Sequence, residues 1–146
     1  MIIMRNAALL NVALKEYGIT EIQGHEDNVR ILQYFKDIGH AWVKDDETAW
    51  CSAFLNWCCL RSGLERSGKL DARSWLNVGQ KIDNPEPGDV VVFWRESLKS
   101  WKGHAGIYIN KKGFGINVLG GNQSNKVCIR GYPVEQLLGY RRLNFA

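Results

Sequence analysis

The stretch from Asp45 to Cys59, DDETAWCSAFLNWCC, carries three of the chain's four cysteines on what reads as a single helix. A thiol does nucleophilic chemistry as its thiolate, so the question is which cysteine sits where an anion is favoured. Cys51 falls in the first turn. Backbone N–H groups there are unpaired, and the positive end of the helix dipole lowers a thiol's pKa. Cys58 and Cys59 lie two turns further in, where that field has faded. Cys128 falls mid-strand in KVCIRG. These three read as small core residues.

A thiolate nucleophile needs a base. His104 begins a predicted strand in WKGHAGIYI. Its small neighbours Gly103, Ala105 and Gly106 allow a second element, such as a helix end, to come close to the imidazole. A third group should hold the ring's other nitrogen and fix its tautomer. The strand GINVLGG runs into GNQSN. If it pairs antiparallel with the His104 strand, its end lies beside the start of that strand. Asn122 is the candidate there, with Gln123 as the fallback. The same residues also suit a plain turn.

These three must be positioned by a helix start, a strand start and a strand end, and the chain supplies all three. Apolar positions at helical spacing run through residues 5–17 and again through VRILQYFKDIG, closed by Gly39. KDDET brings acidic residues to the next helix, with Thr48 or Asp46 as cap. That helix runs from about Trp50 to Arg61 and ends at Gly63. DARSWLNVG predicts one more short helix. After the turn DNPEPGD, strand-like runs dominate: VVVFW, HAGIYIN, GINVLGG, KVCIRGYP and LLGYRRL. Helices first and an antiparallel sheet after is the α+β pattern. No linker divides the 146 residues, so one domain spanning 1–146 is expected.

Composition removes several function classes. The net charge of +4 is spread without a basic stripe, which argues against nucleic acid as partner. No apolar run approaches the ~20 residues needed to span a bilayer. The N-terminus MIIMRNAALL lacks a signal peptide's layout, so synthesis in the cytoplasm is expected, with any work outside relying on another route. Cysteines close together on one helix do not pair without strain. The histidines and cysteines lack zinc-site spacing, so no metal and no cofactor is expected. For the walls of a substrate groove, Trp50, Trp94, Trp101 and Gln123 are the candidates. Core packing is the competing use of each tryptophan. Asn28 and Arg30 read as surface residues, although Arg30 could meet a substrate carboxylate.

The ordered set WCSAFLNW, PGDVVVFW, GHAGIYI, VLGGNQS and LLGYRR resembles the papain-like superfamily in its cell-wall branch, the NlpC/P60 and CHAP cysteine peptidases. The resemblance implies a papain-like fold with N-terminal helices packed on a C-terminal antiparallel sheet. It implies Cys51 as nucleophile, His104 as base and Asn122 as the residue that orients the histidine. Trp50, Ser52, Trp94 and Gln123 are then expected at the substrate. Ser52 matches the family's residue after the nucleophile. The Asp that grips a substrate amine in many NlpC/P60 enzymes is Trp50 here, which argues against cleavage beside a free N-terminal L-Ala. The implied activity is hydrolysis of an amide bond in peptidoglycan stem peptides or cross-bridges, as in a phage endolysin, a virion lysin or a secreted toxin. Two alternatives stay open: an inactive cell-wall-binding or scaffold module, and an acyltransferase on the same fold.

Overall fold

The structure is a computed structural model that describes residues 3–22, 27–44 and 49–146. The acidic helix-start cluster with its expected caps, Thr48 and Asp46, lies outside the described residues. Three helices come first: α1 (Met4–Leu14), α2 (Val29–Asp37) and α3 (Cys51–Ser62). A 3-10 turn at Ala72–Asn77 follows. Then come β1 (Gln80–Ile82), β2 (Val90–Trp94), β3 (Gly103–Lys112), β4 (Gly115–Gln123), β5 (Lys126–Pro133) and β6 (Leu137–Arg142). The strands form one antiparallel sheet in the order β1-β6-β2-β3-β4-β5. The α+β expectation holds. The sequence reading missed β1, which is three residues long and too short to show a period.

Local chemistry accounts for the helix bounds. The Asn28 side chain accepts from the Arg30 N–H and caps α2. Gly63, at φ +73, closes α3 in the left-handed region. Arg30 does not face a substrate: it ion-pairs with Glu16 and lies over the Trp57 ring. α3 is buried on every side, Cys51 to Cys59 without a break. Such a helix belongs in the middle of a domain, and α3 packs against α1, α2, β3 and β4.

The sheet has a core on each face. One joins the helices to Val90, Val92, Ala105, Ile107 and Leu119. The other gathers Val91, Phe93, Tyr108, Ile116, Val118 and Tyr140. Both faces of β2 are therefore covered, which is why VVVFW is apolar without alternation. At its start, Asp89 is fully buried and fully used. It accepts from Asn6 Nδ2 at 2.9 Å and from the Glu86 N–H at 2.7 Å. It also receives Arg142 through Nε at 3.0 Å and Nη2 at 2.7 Å. One carboxylate thus ties α1, β2 and β6 together, and its hydrogen bonds offset the cost of burying a charge.

Helix and sheet approach closely at Gly121 of β4. A Cβ there would lie 2.7 Å from Phe54 Cβ and 2.8 Å from the Trp50 ring. The start of α3, which carries Cys51, rests on this missing side chain. We expect Gly121→Ala to destabilise the protein by about 1–3 kcal/mol through overpacking, read by denaturant unfolding.

Candidate active site

Cys51 is the first residue of α3 and only 8% exposed. Its neighbours in sequence point elsewhere. Trp50 is fully buried, and its Nε1 donates to Glu21 Oε1 at 2.6 Å. Ser52 is fully buried too; its Oγ donates to the Lys69 carbonyl at 2.6 Å and accepts from Trp75 Nε1 at 2.9 Å. Both were expected at the substrate. Both instead hold α3 in place, because successive residues on a helix are turned about 100° apart.

His104 is the second residue of β3, in register with Phe93. It is 5% exposed, and Tyr132 stacks on its ring at 4.7 Å and 17°. Tyr132 in turn stacks on Phe93 at 5.0 Å and 22°. The imidazole's Nε2 lies 2.8 Å from Gln123 Oε1. Gln123 Nε2 donates to the carbonyls of Val118 at 3.0 Å and Cys128 at 2.7 Å. Both of its amide hydrogens are used, so its oxygen must face the ring. A neutral imidazole bonded to that oxygen carries its hydrogen on Nε2 and its lone pair on Nδ1.

Gln123 lies in a hollow made by two glycines. A Cβ on Gly120 would lie 2.6 Å from Gln123 Oε1, and one on Gly106 would lie 3.7 Å from it and 2.4 Å from Val118 Cγ1. The residue that touches the imidazole is thus Gln123, the fallback of the sequence reading, and not Asn122. A register shift between Gly120 and Gln123 accounts for this, with Asn122 at φ +57. Such bulges re-aim side chains. Asn122 lines the cavities beside His104 instead.

Cys51 and His104 share one cavity of about 190 Å³, walled also by Leu70, Asp71, Arg95 and Trp101. Trp101 is 71% exposed, and its loop hangs on Arg73. The Arg73 guanidinium donates to the carbonyls of Lys102 at 2.8 Å, Leu98 at 2.7 Å and Ser97 at 2.8 Å. Trp94 lines a second cavity beside His104. Gln123 is fully buried and acts on the imidazole rather than as a groove wall. The sequence reading passed over Arg95, Arg130 and Tyr132. A period-two reading of KVCIRGYP would have put Cys128, Arg130 and Tyr132 on one face.

The charge state departs from expectation. Burial pushes the Cys51 thiol up from its ordinary value, and the N–H groups of Ala105, Ser52 and Cys51 only partly counter it. Burial pushes His104 down to about 4; the Gln123 hydrogen bond raises it, while the charges of Arg95 and Arg130 lower it further. The resting pair is a neutral thiol beside a neutral imidazole. Desolvation outweighs the helix end here. All four cysteines are free thiols. No group of three or more His, Cys, Asp or Glu side chains suited to a metal ion occurs among the described residues.

Two outcomes follow from these protonation states. The ultraviolet difference between wild type and Cys51→Ser should show no thiolate absorption at neutral pH, with absorption rising only in alkaline solution. Secondly, His104 binds its proton less readily folded than unfolded. Between the ordinary 6.5 and about 4 the unfolded chain takes up a proton that the folded chain refuses, so stability falls as pH falls through that window. The loss should total about 3 kcal/mol by pH-dependent denaturant unfolding and shrink in His104→Asn.

Comparison with known proteins matches this architecture. The model of the CHAP domain matches residues 43–122, from before α3 to the residue preceding Gln123. A solved structure from Staphylococcus aureus, similar to lipoprotein and of the NLP/P60 family, superposes with a TM-score of 0.55 at 17% identity, covering 97% of this chain and 42% of that one. An NlpC/P60 family protein from Bacillus cereus gives a TM-score of 0.57 at 17% identity, covering 94% of this chain and 39% of that one. At such identities the likeness is one of fold, and the chain spans about two fifths of the length of each. No curated protein matches the chain. With more than half of its residues matched by the family model, and with the papain-like arrangement of helices on an antiparallel sheet, the chain belongs to the CHAP domain family.

Proposed function

We propose that the protein hydrolyses an amide bond in the peptides of peptidoglycan, with Cys51 as nucleophile, His104 as base and acid, and Gln123 as the residue that positions His104. The observation that carries the reading is the fixed tautomer. Gln123 holds Nε2–H at 2.8 Å, which leaves the Nδ1 lone pair for the cavity that Cys51 also lines.

The chemistry starts from the neutral pair. As Cys51 Sγ attacks the carbonyl carbon, its proton passes to His104 Nδ1. The oxygen that becomes negative is met by the Cys51 N–H in the first turn of α3, where no helix carbonyl takes it. The imidazolium is stabilised by Gln123 Oε1. It gives its proton to the leaving nitrogen, the C–N bond breaks, and a thioester remains. Water then loses a proton to Nδ1 and attacks the thioester. The acid leaves and the thiol is restored. Tyr132 covers one face of the imidazole throughout and restrains it from swinging away. No step calls for a cofactor. The place of action is the bacterial cell wall, and a lytic role for a phage or a secreted toxin is the setting this substrate suits.

The test is turbidity loss of purified murein, with product analysis. Wild type should clear the wall and release one new amine per new carboxylate, the mark of water as acceptor. Cys51→Ala should be inactive. Gln123→Ala should fall roughly 10–100-fold in kcat, a loss of about 1.4–2.8 kcal/mol in barrier height. Equal clearing by wild type and Cys51→Ala overturns the assignment. Transfer of the acyl group to an added amine points to the acyltransferase alternative.

A further inference from the structure

A second cavity, of about 400 Å³, opens beside His104 without reaching Cys51. Trp94, Tyr132 and the guanidinium-bearing Arg95 and Arg130 are among its walls. Arg130 lies over the Tyr132 ring at 5.8 Å. Among the described residues, neither arginine's side chain forms an ion pair or a hydrogen bond. The acid on the same wall, Glu96, is already held by Lys102 Nζ at 2.8 Å and by Ser100. Arg95 feels the Glu96 charge without touching it, so two guanidiniums face one cavity and neither is tied into an ion pair among the described residues. A guanidinium matches a carboxylate in charge and in its fork of donors, and this cavity has two.

The cavity's position says which part of a substrate would fill it. The acyl fragment remains on Cys51, in the smaller cavity. The amine fragment leaves towards the group that protonates it, His104. The larger cavity shares His104, Arg95 and Asn122 with the smaller one and lacks Cys51, so it continues past the imidazole away from the sulfur, on the side where the amine fragment leaves. We propose that Arg95 and Arg130 bind a free carboxylate on the leaving-amine fragment, so that the enzyme selects amide bonds whose amine side is acidic. The proposal rests on the hydrolase reading above and deepens it: acidic stem peptides are the substrate class, and neutral glycine cross-bridges are not. The arrangement also has a catalytic effect. Burial is the main reason that His104 is a weak base, and the two positive charges add to it; a carboxylate seated between them relieves their part. The correct substrate strengthens the base that acts on it.

The test compares muropeptides whose stem carboxylates are free with the same muropeptides amidated. Wild type should favour the free acid by roughly tenfold or more in kcat/KM, and the double variant Arg95→Gln/Arg130→Gln should bring that ratio close to one. Both residues are exposed, so folding is not at stake. A double variant that keeps the wild-type preference, or a wild type that cuts both forms equally, overturns the carboxylate site while leaving the hydrolase reading intact. If wild type cuts neither form, the hydrolase reading fails, and calorimetry on Cys51→Ala decides the site separately. There the free stem tetrapeptide should bind more tightly than its fully amidated form, with the difference lost on Arg95→Gln/Arg130→Gln. Equal binding, or none, overturns the proposal.

Discussion

A primary amide accepts through one end and donates through the other, and in Gln123 the choice of end is made by the sheet. Two carbonyl oxygens, one on β4 and one on β5, take both amide hydrogens. The oxygen is left for the imidazole of His104 on β3. Three strands thus cooperate to decide which ring nitrogen bears a hydrogen. The amide fits only because Gly106 and Gly120 leave a hollow for it. Exchange the ends of the amide and the ring loses its acceptor while two buried carbonyls face a third oxygen, a costly arrangement in a dry interior.

Much of this was legible in the residues. Cys51 stood out because helix starts are visible in sequence, and His104 because small residues crowd around it. The helix-then-sheet order followed from a change of period near Pro85. What stayed hidden depends on local breaks in periodicity. Asn122 and Gln123 are adjacent, and a regular strand would send them to opposite faces. The register shift after Gly120 rearranges that order, and no pattern in VLGGNQS announces it. Trp50 and Ser52 misled for a related reason: nearness to Cys51 along the chain does not turn a side chain into the same cavity. Trp50 occupies a place where relatives were expected to present an acid to substrate, and here it serves the core, against Gly121 and Glu21.

The resting charge state shows how two effects of comparable kind are ranked. A helix terminus offers at most a couple of kcal/mol to an anion. Removing a thiolate from water costs more when the sulfur is almost wholly covered. Neutral thiol and neutral imidazole are the outcome. A thiol in this state is quiet towards small electrophiles.

The loop between β2 and β3 is gripped from outside by Arg73, and the grip is entirely on main-chain oxygens. Every amino acid supplies such an oxygen. The residues of that loop are therefore free to be exchanged without losing its position. A scaffold built this way tolerates the rewriting of one short segment, with Cys51 and His104 left where they are.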